Sequence, residues 1–440
     1  MPTTPVVTVI GGGMAGCEAA WQLAKRGVRV RLYEMRPVKR TPVHKTGALA
    51  EMVCSNSLRS DSLDNAVGLL HEEMRRLDSL FLSSADNNRV PAGKALAVDR
   101  NRFAREITKR LATVNEVEIV REEFTEIPEG PCIIATGPLT SEALSQKIRE
   151  LTGSEHLYFY DAISPIVLAD TIDTNKTFAA SRYDKGGADY INCPFTREEF
   201  DRFYTELMGA ETHELPDFER KLFFEGCLPI EEIGRRGPET LLYGPMKPVG
   251  LTDPRISERP HAVAQLRQDD IAADHYSLVG FQTRLKWGPQ EKVLRLIPGL
   301  EKAEFVRLGT VHRNTYINAP RLLSETLQTR ARGDLYFAGQ IAGTEGYVES
   351  AGGGLLAGIY CGMALLDGGI NPVPRTTALG SLAFYISHAR ALNYQPTNIT
   401  FGIIPALENP VRRKQERREA ISRRALRDLD SWIKSNSGVE

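Results

Sequence analysis

An apolar run, Val6-Val7-Thr8-Val9-Ile10, leads directly into Gly11-Gly12-Gly13-Met14-Ala15-Gly16, and a carboxylate follows at Glu34. This succession of strand, glycine turn, helix, strand and acid is that of a βαβ unit built around a dinucleotide. Gly11 permits the tight turn, Gly13 lets the backbone approach a pyrophosphate, and Gly16 allows helix and strand to pack closely. Free N–H groups at the start of the helix face the phosphates. Ala15, Ala19 and Leu23 share one helix face, Gly27 stops the helix, and Val28, Val30 and Leu32 alternate as a second strand. Glu34 then stands where a carboxylate holds a ribose hydroxyl. Cofactor contacts are therefore expected from Gly11, Gly12, Gly13, Met14, Ala15, Gly16 and Glu34.

A chain of 440 residues predicts two or three domains. Its formal net charge of −1 excludes a molecule that is basic as a whole, so any contact with nucleic acid must come from a local patch. No uninterrupted apolar stretch of twenty residues is evident, and the N-terminus enters a strand at once, with no charged and apolar leader. The expectation is a cytoplasmic protein with no membrane segment. Cys17, Cys54, Cys132, Cys193, Cys227 and Cys361 are too scattered for a disulfide framework, and no CxxC or Cys/His cluster suggests a metal.

The fingerprint by itself does not separate FAD from NAD(P), but two later segments do. Pro131-Cys132-Ile133-Ile134-Ala135-Thr136-Gly137 reads as a buried strand turning beneath a dinucleotide. Leu335-Tyr336-Phe337-Ala338-Gly339-Gln340 reads as another, followed by Gly343-Thr344-Glu345-Gly346-Tyr347 and a helix starting near Ser350 or Ala351. A second helix N-terminus aimed at the cofactor would stabilise a reduced, anionic flavin ring. Gly137, Gly339 and Gly346 join the expected cofactor contacts. The pattern is an FAD-binding domain split between residues 1–150 and 301–440, with a substrate domain inserted at 151–300. Only one fingerprint is present, so NAD(P)H is expected to visit the flavin transiently.

Two cysteines lie in loops, where function concentrates. Cys54 sits in Glu51-Met52-Val53-Cys54-Ser55-Asn56-Ser57-Leu58-Arg59, and Cys227 lies in Phe224-Glu225-Gly226-Cys227-Leu228-Pro229. Each is a candidate reactive thiol, given a cation or helix end to stabilise the thiolate. Cys17, Cys132, Cys193 and Cys361 read as structural, with Cys193 at a strand end.

Together these segments resemble the TrmFO family of folate- and FAD-dependent tRNA (uracil-5-)-methyltransferases. The resemblance is carried by the fingerprint through Cys17-Glu18-Ala19-Ala20, the Glu51–Leu58 segment, Pro91-Ala92-Gly93-Lys94-Ala95-Leu96-Ala97-Val98-Asp99-Arg100 and the Cys227 motif. It extends through Tyr243-Gly244-Pro245-Met246-Lys247-Pro248-Val249-Gly250-Leu251, Gln265-Leu266-Arg267-Gln268-Asp269 and Phe337–Ser350, and it runs to about Pro405. It implies an α/β chain: a Rossmann-like FAD-binding domain, GidA- and glutathione-reductase-like, with an inserted α+β substrate domain. It also implies a reaction in which NAD(P)H reduces FAD, and the flavin carries the one-carbon unit of 5,10-methylenetetrahydrofolate to C5 of the T-loop uridine of tRNA. A further reduction yields ribothymidine. Cys227 takes the role of nucleophile at C6 of uracil, and Cys54 that of the second cysteine, near the flavin. The glycine-rich C-terminal segment also resembles the MnmG (GidA) tRNA-modification flavoproteins, which are longer by a helical C-terminal domain.

A tRNA partner requires positive surface. Between Val411 and Arg427 the chain reads VRRKQERREAISRRALR, with Ile421, Ala425, Leu429 and Trp432 at helical spacing. This predicts a docked stripe and a basic face suited to phosphates, set against the plainer reading of a salt-bridged surface helix. Arg255, Arg259, Arg284 and Lys286 are further candidates for that surface. Arg235 and Arg236 read either as a phosphate or thiolate contact or as solvated surface. Trp287 reads either as a stacking platform or as core.

Overall fold

The computed structural model describes residues 5–41, 43–153, 157–184, 187–213, 228–255, 259–392 and 394–436. The fingerprint strand, Val7–Ile10, lies at the centre of a five-stranded parallel sheet in the order Leu335–Phe337, Cys132–Ile134, Val7–Ile10, Val30–Tyr33, Val117–Val120. Residues distant in sequence thus close one sheet, as the split pattern of apolar strands predicts. The fingerprint helix spans Met14–Ala24, and nearly every residue in it is buried because helices cover the sheet around it.

A second helix, Tyr347–Leu366, packs along the first at unusually short range. A Cβ added at Gly354 would stand 2.0 Å from the carbonyl oxygen of Ala15, so only glycine admits this approach. The same helix is long and apolar enough to cross a membrane, which revises the expectation that no such stretch exists. However, 83% of its apolar window is buried inside the protein, against the fingerprint helix and its neighbours. It begins at Tyr347, three residues before the predicted start, because Gly346 at φ 103° ends the loop and the helix takes over at once.

Buried carboxylates tie other helices to this core by accepting N–H groups that a helix start leaves unpaired. Glu18 accepts from Leu80 N at 3.3 Å and Phe81 N at 2.9 Å, at the head of the helix Leu80–Asn87. Glu73 accepts from Ala378 N at 2.7 Å and Leu379 N at 2.9 Å, at the head of Ala378–His388.

Between the two halves of the parallel sheet, the chain builds a six-stranded antiparallel sheet. Its order is Phe178–Ala179, Tyr190–Phe195, Ala262–Gln268, His275–Leu278, Ile166–Leu168, Phe305–Arg307. The helices Arg197–Gly209 and Trp287–Leu294 contribute to its own apolar core, which includes Phe195, Phe200, Phe203 and Phe281. Cys193 lies within a strand opposite Ala264, inside this core and not at a strand end. An antiparallel ribbon, Leu157–Ala162 with Val311–Tyr316, carries the chain into and out of this region.

The glycine contact between the two long helices generates a stability test. Gly354→Ala is expected to destabilise by about 1–3 kcal/mol or more through overpacking. Gly369→Ala, whose Cβ would meet nothing within 4 Å, is expected to stay within about 0.5 kcal/mol of the parent. Denaturant unfolding of the two variants checks the contrast.

Candidate active site

The fingerprint turn, the end of strand Cys132–Ile134 and the start of helix Tyr347–Leu366 enclose a cavity of about 440 Å³. That volume lies within the roughly 300–1,000 Å³ usual for cofactor and ligand sites. Gly11, Gly12, Gly13, Met14, Ala15, Glu34, Cys54, Gly137 and Gly346 all line it. Gly16 and Gly339 do not. A Cβ at Gly16 would stand 1.8 Å from the carbonyl oxygen of Gly11, and one at Gly339 would stand 2.7 Å from Cβ of Ala15, so both serve close packing behind the wall.

The walls fit a dinucleotide. A Cβ at Gly13 would meet nothing within 4 Å, so backbone is laid bare beside the first turn of the fingerprint helix, where phosphate oxygens find N–H donors. Glu34 is buried at the end of the second strand, where its Oε2 accepts from Gly12 N at 3.1 Å. Its Oε1 accepts from Arg36 N and Arg36 Nε, both at 2.9 Å. Burial opposes the Glu34 charge, but Arg36 outweighs it and holds the carboxyl below its ordinary value. Arg36 continues to Glu51 at 2.9 Å, so the strand end and the loop before Cys54 form one ion-pair chain.

Cys54 lies at the cavity wall in a setting assembled from four other segments. The Tyr347 hydroxyl is 2.9 Å from its Sγ and accepts from the backbone N–H groups of Val53 and Cys54, each at 2.9 Å. Arg267 reaches Ser55 Oγ at 2.8 Å and Asn56 Oδ1 at 2.9 Å. Arg100 pairs with Asp269 at 2.5 Å and donates to the Met52 carbonyl at 3.4 Å, while Arg307 donates to the carbonyl of Val53. The antiparallel sheet thereby grips the cysteine loop through its arginines. The other described cysteines, Cys17, Cys132, Cys193 and Cys361, are buried, and desolvation pushes their thiols far up.

Cys227 lies outside the described residues. Three positions on, Ile230 N donates to the carbonyl of Gln282 at 2.7 Å, and Gln282 lines the cavity. Arg235 and Arg236 are exposed, and Arg235 pairs with Glu232 at 3.2 Å. Arg284, expected on a positive surface, is only 1% exposed. It donates to Glu232, to Thr212 Oγ1 at 3.0 Å and to the His213 carbonyl at 2.9 Å, so it is an internal brace. Arg255 is held by Asp253, and Lys286 by Glu211. Trp287 is 65% exposed, which removes the core reading.

The helix Lys414–Asn436 buries Ile421, Ala425, Leu429 and Trp432, as the spacing predicts. Arg412, Arg413, Lys414, Arg417, Arg423 and Arg427 are exposed at its start and along its length. Arg418 donates to the Asp64 carbonyl and lies over the Phe401 ring, three residues beyond Asn398, which lines the cavity.

The family model of glucose inhibited division protein A matches residues 6–367. The methylenetetrahydrofolate–tRNA-(uracil-5-)-methyltransferase TrmFO of Bacillus licheniformis is 59% identical over 431 residues, covering 98% of this chain and 99% of the relative. The TrmFO of Anoxybacillus flavithermus is 57% identical over 428 residues, at 97% and 99% coverage. The chain belongs to the TrmFO family. Its fold is also that of Aquifex aeolicus GidA, at a TM-score of 0.71 and 17% identity, over 98% of this chain and 73% of that one.

Within the TrmFO framework, Tyr347, Arg100, Arg267 and Arg307 are the site residues that sequence reasoning left without a role. The first three stand inside the motifs that carry the family resemblance, yet nothing in their spacing announces that they meet at Cys54. Reassigning Arg284 from surface to brace has a measurable consequence. Arg284→Met leaves Glu231 and Glu232 without their guanidinium, and the loss of a buried pair is expected to cost about 3–5 kcal/mol in unfolding free energy. The salt dependence of tRNA binding is expected to stay that of the parent, which a filter-binding titration checks.

Proposed function

We propose that this TrmFO-family chain methylates C5 of the T-loop uridine of tRNA to give ribothymidine, with 5,10-methylenetetrahydrofolate as carbon donor and NAD(P)H as reductant. The observation that carries this reading is near-full-length identity of 57–59% to curated TrmFO proteins. The dinucleotide-shaped cavity with a cysteine in its wall supports it. Bound FAD supplies the redox chemistry and the carrier for the one-carbon unit. The setting is the cytoplasm.

The backbone at Gly11, Gly12 and Gly13 and the first turn at Met14 and Ala15 would hold the pyrophosphate of a bound dinucleotide. Glu34 would face its ribose, while Gly137 and Gly346 would leave the cofactor room at the cavity wall. C5 of uracil is a poor nucleophile until a group adds at C6, and a thiolate suits that reversible addition. Cys227 takes this role, and Cys54 works beside the flavin. Taking the uridine out of its stack costs a few kcal/mol, which contacts to the RNA must offset. The basic face at Arg412–Arg427 supplies such contacts.

Incubation with unmodified tRNA, NAD(P)H and methylenetetrahydrofolate labelled in its transferable carbon tests the reading. Label is expected at the T-loop uridine, and its absence from protein with bound, reducible flavin would favour MnmG-like modification of a wobble uridine. Cys227→Ala is expected to abolish incorporation, and incorporation at the parent rate would remove the nucleophile assignment. Gly13→Val is expected to fold but to purify without flavin absorbance. The triple variant Arg412→Gln, Lys414→Gln, Arg417→Gln is expected to lower the slope of log binding constant against log salt by about 0.7–0.9 for each phosphate that it no longer neutralises. An unchanged slope would place the RNA elsewhere.

A further inference from the structure

We infer that Arg375, Phe384 and His388 form a stacking platform for unpaired bases of the tRNA, set beside the phosphates that the basic C-terminal helix holds. The inference deepens the reading above by naming a second surface for the RNA, and it takes only the identity of that RNA from the reading.

The three side chains make one ladder. Phe384 and His388 stand a turn apart on the helix Ala378–His388, and their rings are parallel, with centroids 4.1 Å apart and planes 3° from each other. The Arg375 guanidinium lies 3.5 Å from the centroid of the same phenyl ring. Two groups this near one ring fit only on its opposite faces, so Phe384 is the centre of a sandwich. Local sequence fixes the arrangement. Thr377 caps the helix by accepting from Gly380 N at 2.9 Å, and Ser381 Oγ donates to the Arg375 carbonyl at 2.6 Å, which holds Arg375 against the first turn.

Both ends of the ladder face solvent. Arg375 and His388 are exposed, and Phe384 between them is half-buried. Exposed arginines elsewhere are held by carboxylates, as Arg31 is by Glu118, Arg235 by Glu232 and Arg255 by Asp253. Among the described residues, the guanidiniums of Arg375 and of Arg390, two residues past the helix, have neither an ion pair nor a hydrogen bond. The flat outer faces of a guanidinium and an imidazole are thus left open, with cationic charge around them.

The ladder adjoins the basic helix. Thr376 Oγ1 donates to Asp428 Oδ2 at 2.7 Å, which sets the Arg375 loop against helix Lys414–Asn436. The carboxylate at this junction is shared between Thr376 and Arg427, so it does not neutralise Arg375. One surface therefore offers point charges along the helix and stacking faces beside it. An acidic peptide would use the charges and leave the stacking faces idle. The loops of an RNA use both, because their bases stack on aromatic rings and guanidinium planes while their phosphates meet cations.

The position suits the proposed reaction. Tyr385, next to Phe384, donates to the Gln395 carbonyl at 3.2 Å. Asn398, three residues on, lines the cavity, and three residues of extended chain span at most about 11 Å. The segment between them is fixed, since Thr397 N donates to the Gly343 carbonyl at 3.1 Å and the Thr397 carbonyl accepts from Glu345 N at 2.9 Å. Bases that flank a uridine entering the cavity are the occupants this platform fits.

The test is filter binding of unmodified tRNA to the full-length, FAD-loaded protein across a salt series. Arg375→Lys keeps the charge and loses the plane, and His388→Ala removes the other outer face. Each is expected to weaken binding about fivefold or more at a given salt concentration, with flavin absorbance and thermal midpoint as in the parent. Arg375→Lys is also expected to keep the parent's slope of log binding constant against log salt. Parent affinity in both variants overturns the inference. Parent affinity in Arg375→Lys with a reduced slope in Arg375→Gln would make Arg375 a phosphate contact, and that also overturns it. Photocrosslinking of tRNA carrying 5-bromouridine in its loops reads the parent protein directly: crosslinks are expected at Phe384 or His388, and crosslinks confined to Arg412–Arg427 count against the platform. Weakened binding by the variants of a protein that transfers no labelled carbon would sink the proposed reaction and leave the platform standing. Full transfer with unaltered binding by both variants would do the reverse.

Discussion

The site depends on how closely two helices approach each other. The carbonyl oxygens of Ala15 and Ala19 lie where side chains at Gly354 and Gly358 would be, with a Cβ falling 2.0 Å and 2.6 Å away respectively. That contact draws the N-terminal half of the cofactor sheet against a helix that arrives more than three hundred residues later. Its effect is to aim two helix starts, at Met14 and at Tyr347, into one cavity. Helix starts carry unpaired N–H groups and partial positive charge, so the cavity has a built-in affinity for phosphate and for a reduced flavin.

A second constraint is polar and binds the inserted sheet to this frame. Asn56 donates to the Gln268 and Val98 carbonyls, Arg267 holds Asn56 and Ser55, and Arg100 holds Asp269. The loop that carries Cys54 is therefore held from both sides, Val53 N and Cys54 N by Tyr347 and the Met52 and Val53 carbonyls by Arg100 and Arg307. Such a seam suits a site that must admit a folate, a nicotinamide and a tRNA base in turn, because the cysteine keeps its orientation while the cavity mouth stays open to solvent.

Much of this was legible in the sequence. Local periodicity announces the βαβ unit, the strand at Cys132–Ile134 and the docked stripe of the C-terminal helix, because each is decided by residues within a few turns of one another. Features decided by distant contacts were not legible. Arg284 reads as surface until Glu231 and Glu232 are seen beside it. The helix start at Tyr347 is hidden by the loop-like Gly343–Gly346 segment, and the residues that hold the loop of Cys54 include ones as distant as 100, 267, 307 and 347. Gly16 and Gly339 carry the residue type of cofactor contacts but serve packing, since a close backbone approach and an open phosphate cradle both call for glycine.

The most direct measurement is a crystal structure of the protein loaded with FAD. The pyrophosphate is expected over the backbone of Gly13, the adenosine ribose at Glu34 and the flavin ring at the end of the cavity formed by Cys54 and the start of helix Tyr347–Leu366. A flavin whose ring lies away from Cys54, or a pyrophosphate held anywhere but at the fingerprint turn, would contradict this arrangement.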